Sequence, residues 1–214
     1  MTDYLTLQKR ARAEFTVNRS RFIGTAAPVS SNEEAIAFVN EIRREFPDAR
    51  HNVFAYAVRE PEYARFSDDG EPSGTAGKPV LDVLRAPARP LTDAVIVVTR
   101  YFGGILLGTG GLVRAYTEGA KLAVEAAGVV KMCPCTVFDV SFPYNYYERA
   151  ERLISSYGGI VESTDFADAV RFCLRLPEEK AAAFSLAITD LTNGAVAAIK
   201  TGEKYDAFPA EETP

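Results

Sequence analysis

The sequence predicts an α+β fold in two domains, and three observations carry that prediction. Strand and helix periodicities are mixed along the whole of the 214 residues, a length that admits one large domain or two small ones. The apolar run Ala94 to Thr99 reads as a strand buried on both faces, which needs layers on either side of it. After Gly128 the pattern changes register, and the elements then run β-α-β-β-α-β. The predicted domains are 1–130 and 131–202, with an acidic, frayed tail over 203–214.

In the first domain, strands are predicted at Tyr4 to Leu7, Phe15 to Val17 and Phe22 to Pro28. Ser31 and Glu34 stand at capping-box spacing, so each satisfies an orphan donor of the other at a helix start. Ala35, Phe38, Val39, Ile42 and Phe46 then recur at helical spacing until Pro47 closes the element. Val53 to Val58 is a strand, and Arg59 to Lys78 shows no periodicity, as a functional loop would not. Pro79 to Leu84 is a short helix with Pro79 in its first turn. Leu112 to Ala127 is a longer helix, ended at Gly128.

In the second domain, Thr136 to Ser141 alternates as a strand. Tyr144, Tyr147, Ala150, Ile154 and Tyr157 line a helix that stops at Gly158-Gly159. Ile160 to Thr164 and Ala169 to Leu176 are strands. Pro177, Glu178 and Glu179 suit the first turn of a helix, with Pro177 at its first position. Asn193-Gly194 turns into a last strand, Ala195 to Lys200. This order is the ferredoxin-like plan.

Charge bounds the partners. Residues 1–130 hold 16 Lys+Arg against 16 Asp+Glu, and 131–214 hold 8 against 13, so the second part carries the whole net charge of −5. Neither part has the basic excess of a general nucleic-acid binder, and any such role rests on a local patch. No apolar run is long enough for a membrane helix, and the N-terminus lacks a secretory h-region. Three cysteines are an odd count for a disulfide framework, which points to a reducing, cytoplasmic setting.

The candidate site is RYFGGILLGTGGLVRAY, Arg100 to Tyr116. Gly103, Gly104, Gly108, Gly110 and Gly111 fall between a strand and a helix, where free N–H groups and the helix dipole favour an anion. Their spacing is neither the dinucleotide fingerprint nor a P-loop. Arg100 closes the strand, and Arg114 is expected in the first helical turn, where a bound anion would offset its charge. Close packing and positive φ explain the glycines equally well. Lys78, Arg19, Arg21 and Arg50 could extend the patch. Asp68, Asp69 and Glu71 could hold a hard cation such as Mg²⁺, although acids beside Gly70 and Pro72 are also ordinary turn residues. His51, the single histidine, reads as a structural or ligand-touching imidazole at a strand start. No GxSxG, HExxH or Cys/His constellation is present, so no catalytic residue is assigned, and no motif calls for a cofactor.

Four stretches together resemble the IMPACT/YigZ family: NRSRFIG (Asn18 to Gly24), ARHNVFAY (Ala49 to Tyr56), RFSDDGEPSGTAGKPVL (Arg65 to Leu81) and VVTRYFGGILLGTGGLVRAY (Val97 to Tyr116). Residues 136 to 200 are similar to the small C-terminal domain of its bacterial branch. The resemblance implies a first domain like the second domain of a small-subunit ribosomal protein and domain IV of elongation factor G. It implies a second like the last domain of that factor. Eukaryotic members regulate translation by competing for a partner of a stress-responsive kinase. The expected function is therefore non-enzymatic: RNA, the ribosome or a translation-factor partner meets the glycine-rich face, with a phosphate- or sulfate-type anion at the glycines. The alternatives are a small enzyme for a phosphorylated substrate and a purely protein-binding module.

Overall fold

The structure, a computed structural model, describes residues 3–59 and 62–209. The chain divides into two units, Tyr4–Lys131 and Met132–Phe208, each built of helices on a sheet.

The first unit opens with β1 (Tyr4–Leu7), β2 (Ala11–Val17) and β3 (Ser20–Pro28). Asn18 and Arg19 both take positive φ, 45° and 62°, and join β2 to β3 as a two-residue hairpin with Val17 opposite Ser20. Helix α1 (Asn32–Glu45) starts as its sequence requires: Ser31 accepts from the Glu34 N–H. The Glu34 carboxylate closes the box one residue early, on the Ser30 N–H at 2.7 Å. Strand β4 (His51–Val58) and β5 (Tyr63–Ser67) follow, then α2 (Gly77–Leu84), β6 (Ala94–Tyr101) and α3 (Gly108–Ala127).

The sheet order is β2-β3-β6-β4-β5, and its pairings are antiparallel. Central β6 alternates its side chains between two cores. Ile96 and Val98 face α2 and α3 together with Leu84, Tyr116 and Ala120. Val95 and Val97 face α1 with Phe38, Val39 and Ile42. Each Val or Ile so buried contributes about 1.5–3 kcal/mol relative to exposure, so β6 anchors the unit.

Three expectations are corrected in this unit. Strand β5 lies inside the stretch that reads as patternless, because it is a largely exposed edge strand and needs no apolar alternation. Helix α3 begins at Gly108 rather than Leu112, so Gly108, Gly110 and Gly111 belong to its first turn. That turn is mostly exposed and carries no large apolar side chain, so it leaves no periodic trace. Arg114 accordingly lies beyond the first turn.

In the second unit, β7 (Val129–Phe142) enters from the first. A 3-10 turn (Tyr144–Tyr146), α4 (Tyr147–Ser156), β8 (Ile160–Phe166), β9 (Val170–Pro177), α5 (Glu178–Leu191) and β10 (Ile199–Pro209) follow. Strand β9 pairs with β7 on one side and β8 on the other, and β10 pairs with β7. Phe138, Phe172 and Leu174 pack against Ala150, Ile154, Phe184 and Ile188 of the two helices. Pro177 precedes α5 as its cap residue rather than its first helical one.

The predicted end of the chain is corrected too. Ala195–Ala198 are not strand, because the Thr192 hydroxyl takes the Val196 N–H and prolongs the helix exit. Residues 203–209, expected to fray, are paired strand: Phe208 is buried with Cys133 and Cys135, while Glu203 and Lys204 are exposed. The remainder of the predicted tail, 210–214, lies outside the described residues. No helix among the described residues is long and apolar enough to cross a membrane.

Candidate functional site

Arg100 stands one residue before the end of β6, opposite Phe22 of β3 and His51 of β4. Period-2 alternation puts its side chain on the same face as Ile96 and Val98, towards α3, where it is only 5% exposed. A guanidinium this deep requires an opposite charge. Glu71 supplies it: Arg100 Nη1 donates to Glu71 Oε1 at 2.5 Å. The Phe22 and Phe102 rings sit 5.4 and 5.5 Å from the Arg100 Cζ, within cation–π range. Nη2 reaches Ser20 Oγ only at 3.5 Å, and the buried Nε has no hydrogen-bond partner among the described residues.

Glu71 is shared. Its Oε1 also accepts from the Tyr116 hydroxyl at 2.7 Å, and His51 Nε2 lies 3.8 Å away. Burial first, and the Glu71 carboxylate second, push the Tyr116 hydroxyl far above its ordinary value, so it remains a donor. His51 Nδ1 lies 2.8 Å from the Asp69 carbonyl, which can only accept. Nδ1 therefore carries a proton, and in the neutral ring Nε2 is bare.

Arg100, Glu71 and His51 line a cleft of about 510 Å³ with Arg50, Phe102, Leu106, Leu107, Gly108 and Thr109. Helix α3 opens on it without a cap: Leu107 offers no side-chain acceptor, and no acid occupies the first turn. Gly108 has φ of 69°, where a side chain would be strained, and a Cβ at Gly110 would meet nothing within 4 Å. Among the described residues no side chain caps the first-turn N–H groups.

Of the residues singled out in the sequence, the cleft gathers Arg100, His51, Arg50, Glu71 and Gly108. Gly103 serves packing instead: a Cβ there would stand 2.0 Å from the Arg19 backbone, and its N–H donates to Ser20 Oγ. Gly104 has φ of 84° in open surroundings. Gly111 and Arg114 line a neighbouring groove with Glu118 and Lys121. Arg21 pairs with Glu14 at 2.6 Å and Lys78 with Asp82, both on the surface and off the cleft.

The three acids do not converge. Asp68 accepts from the N–H groups of Gly74, Ala76 and Gly77 and so caps α2. Asp69 binds Arg43 at 2.7 Å and the Asn52 N–H at 2.7 Å. With Glu71 on Arg100 and Tyr116, each carboxylate is engaged by the protein itself. Among the described residues no group of three His, Cys, Asp or Glu is arranged to hold a metal. Sequence reasoning missed Ser20, Phe102, Leu106, Thr109 and Tyr116. All but Ser20 carried a signal, by lying inside the glycine stretch.

Comparison with known proteins agrees across both units. Residues 18–124 match the Impact N-terminal domain, and 140–195 match a domain of unknown function, DUF1949. The chain is 37% identical over 201 residues to the IMPACT family member YvyE of Bacillus subtilis, covering 94% of this chain and 91% of that protein. It is 38% identical over 183 residues to the IMPACT family member YigZ of Escherichia coli, covering 84% and 89%. Protein IMPACT-A of Xenopus tropicalis aligns over 98 residues at 36% identity, covering 44% of this chain and 30% of that one. A crystal structure described as that of a hypothetical protein superposes with a TM-score of 0.58 at 34% identity, over the full length of both chains.

Proposed function

The chain belongs to the IMPACT family, and we propose on that premise that it is a non-enzymatic, translation-associated regulator whose cleft takes a phosphate of RNA, free or within the ribosome. One observation carries the reading: a buried guanidinium with an unpartnered Nε and an uncapped helix N-terminus line the same cleft. Each is a known way of meeting a phosphate oxygen, and together they leave donors without acceptors on both sides. The translation setting comes from the family and from the likeness to elongation factor G domains, the second of them ferredoxin-like, that the family resemblance implies. That part is analogy of fold.

A protein partner is favoured by a separate observation. Phe102, Ile105 and Leu106 are exposed beside the cleft, Leu106 at 84%, which suits an apolar contact around a polar anchor. Among the described residues no hydrogen bond in the cleft pairs a nucleophile with a base, so a catalytic reading gains no geometry.

The test is binding of the full chain to labelled structured RNA and to purified ribosomes across a salt series, with Thr109→Asp as the control. An acid at this position suits the helix dipole and opposes an anion, so the variant keeps its fold and loses affinity. Salt-sensitive binding lost in Thr109→Asp supports the proposal. Absence of binding at low salt, or binding that Thr109→Asp leaves intact, refutes it.

A further inference from the structure

Charge on the cleft walls limits how much of a nucleic acid the site can hold. Two cationic side chains line it, Arg100 and Arg50, and Glu71 already neutralises Arg100. Arg21 and Lys78 are paired elsewhere, and Arg114 lies in the neighbouring groove. A protein that tracks a polyanion spends a Lys or Arg on each phosphate, and the cleft lining supplies two, one of them already paired. What the site does offer is several neutral or half-used donors lining one cleft: the start of α3 at Gly108 and Thr109, and Arg100 with its unpartnered Nε. Glu71 occupies Nη1 and Ser20 Oγ lies 3.5 Å from Nη2, while Nε is unpartnered, so the guanidinium keeps donor capacity for an oxyanion. Many donors with little net charge suit one compact group carrying two charges and three acceptor oxygens.

The wall beside these donors is apolar. Phe102 is 40% exposed, with its ring over the guanidinium, and Leu106 and Leu107 continue the surface. An exposed ring next to a phosphate site is a platform for a base, a contact indifferent to base identity. The volume of about 510 Å³ falls in the range of small-ligand sites.

We infer that the cleft holds a phosphate monoester carried on a nucleoside, with the phosphate between the α3 N-terminus and Arg100 and the base against Phe102. This rests on the reading of the cleft as a phosphate site. It narrows that reading from phosphates along a strand to the single terminal one. Two sources share the chemistry, the 5′-phosphorylated end of an RNA strand and a free mononucleotide.

The experiment measures binding of the full chain to a fluorescent five-nucleotide RNA with a 5′-phosphate, the same strand with a 5′-hydroxyl, and adenosine 5′-monophosphate as competitor. The 5′-phosphate is expected to tighten binding at least tenfold. The plot of log K against log salt has a slope of about −1 or shallower, since one contact on a single strand gives roughly −0.7. Loss of the preference in both Thr109→Asp and Phe102→Ala locates the group. Complete displacement by the monophosphate identifies the mononucleotide as sufficient; displacement that stays partial assigns the strand end. Equal binding of both strands, with a slope steeper than about −3, overturns the inference while leaving strand phosphates as ligands of the cleft. Binding of the monophosphate alone upholds the inference and removes RNA. Failure of every probe at low salt overturns both.

Discussion

The Arg100–Glu71–Tyr116 cluster makes a quantitative prediction about stability. Glu71→Leu leaves a guanidinium that is 5% exposed without its counter-charge and frees the Tyr116 hydroxyl. Breaking one side of a buried pair costs about 3–5 kcal/mol, and an orphaned hydroxyl about 1–3 more. Arg100→Met costs less, about 3 kcal/mol, because Glu71 keeps the Tyr116 hydrogen bond at 2.7 Å. When both charges go and Tyr116→Phe is added, no buried charge or donor of the cluster is stranded, and the triple variant is close to wild type or above it. Against a typical domain stability of about 5–15 kcal/mol, each single substitution removes about a fifth or more. The two units need not unfold together, so the assay is hydrogen exchange at the amides of β6, supported by urea melts. The result that refutes the reasoning is additivity: a triple variant as unstable as the sum of its parts means the cluster is not one coupled network.

The glycines and the carboxylates give further tests. Gly103→Ala forces a Cβ to within 2.0 Å of the Arg19 backbone and is expected to cost several kcal/mol. Gly110→Ala meets open space in a helix and is expected to gain about 0.5–1 kcal/mol, so thermal melts that rank the two the other way contradict the packing argument. Glu34 is held below the ordinary 4.5 by the Ser30 N–H, and Glu45 by the Arg12 guanidinium. A depressed folded value adds stability that is complete above the unfolded value and lost as pH falls through the folded one. The melting temperature is therefore expected to hold down to about pH 5 and to fall below 4.5, less steeply in Glu45→Gln.

How much was legible depends on where each signal lives. Strand β6 declared itself because both faces are buried and every residue from Ala94 to Thr99 had to be apolar or small. Helix α1 declared itself through Ser31 and a periodic face. Strands β5 and β10 did not, since edge strands owe their place to backbone pairing, which leaves the side chains free to be polar. The first turn of α3 was hidden by the glycines that make it useful. The site was half visible: Arg100, His51 and the glycines share one neighbourhood of the fold, but the partner of Arg100 lies 29 residues away in the chain. Nothing in single-sequence reading distinguishes Glu71 on an arginine from Glu71 on a metal. Arg114 and Lys78, chosen for charge and proximity in sequence, point elsewhere because helix geometry sends them there.

The order of strands also has a consequence for synthesis. β6 lies between β3 and β4, so the hairpins β2–β3 and β4–β5 meet only through a strand made after both. Ser67 ends the second hairpin and Tyr101 ends β6, and at roughly 5–20 residues per second a ribosome needs ~2–7 s to cross that interval. For that time two sticky half-sheets exist with no common centre. A nascent chain stalled between these points is the form most in need of a chaperone, and the form in which one molecule's β6 could complete another's sheet.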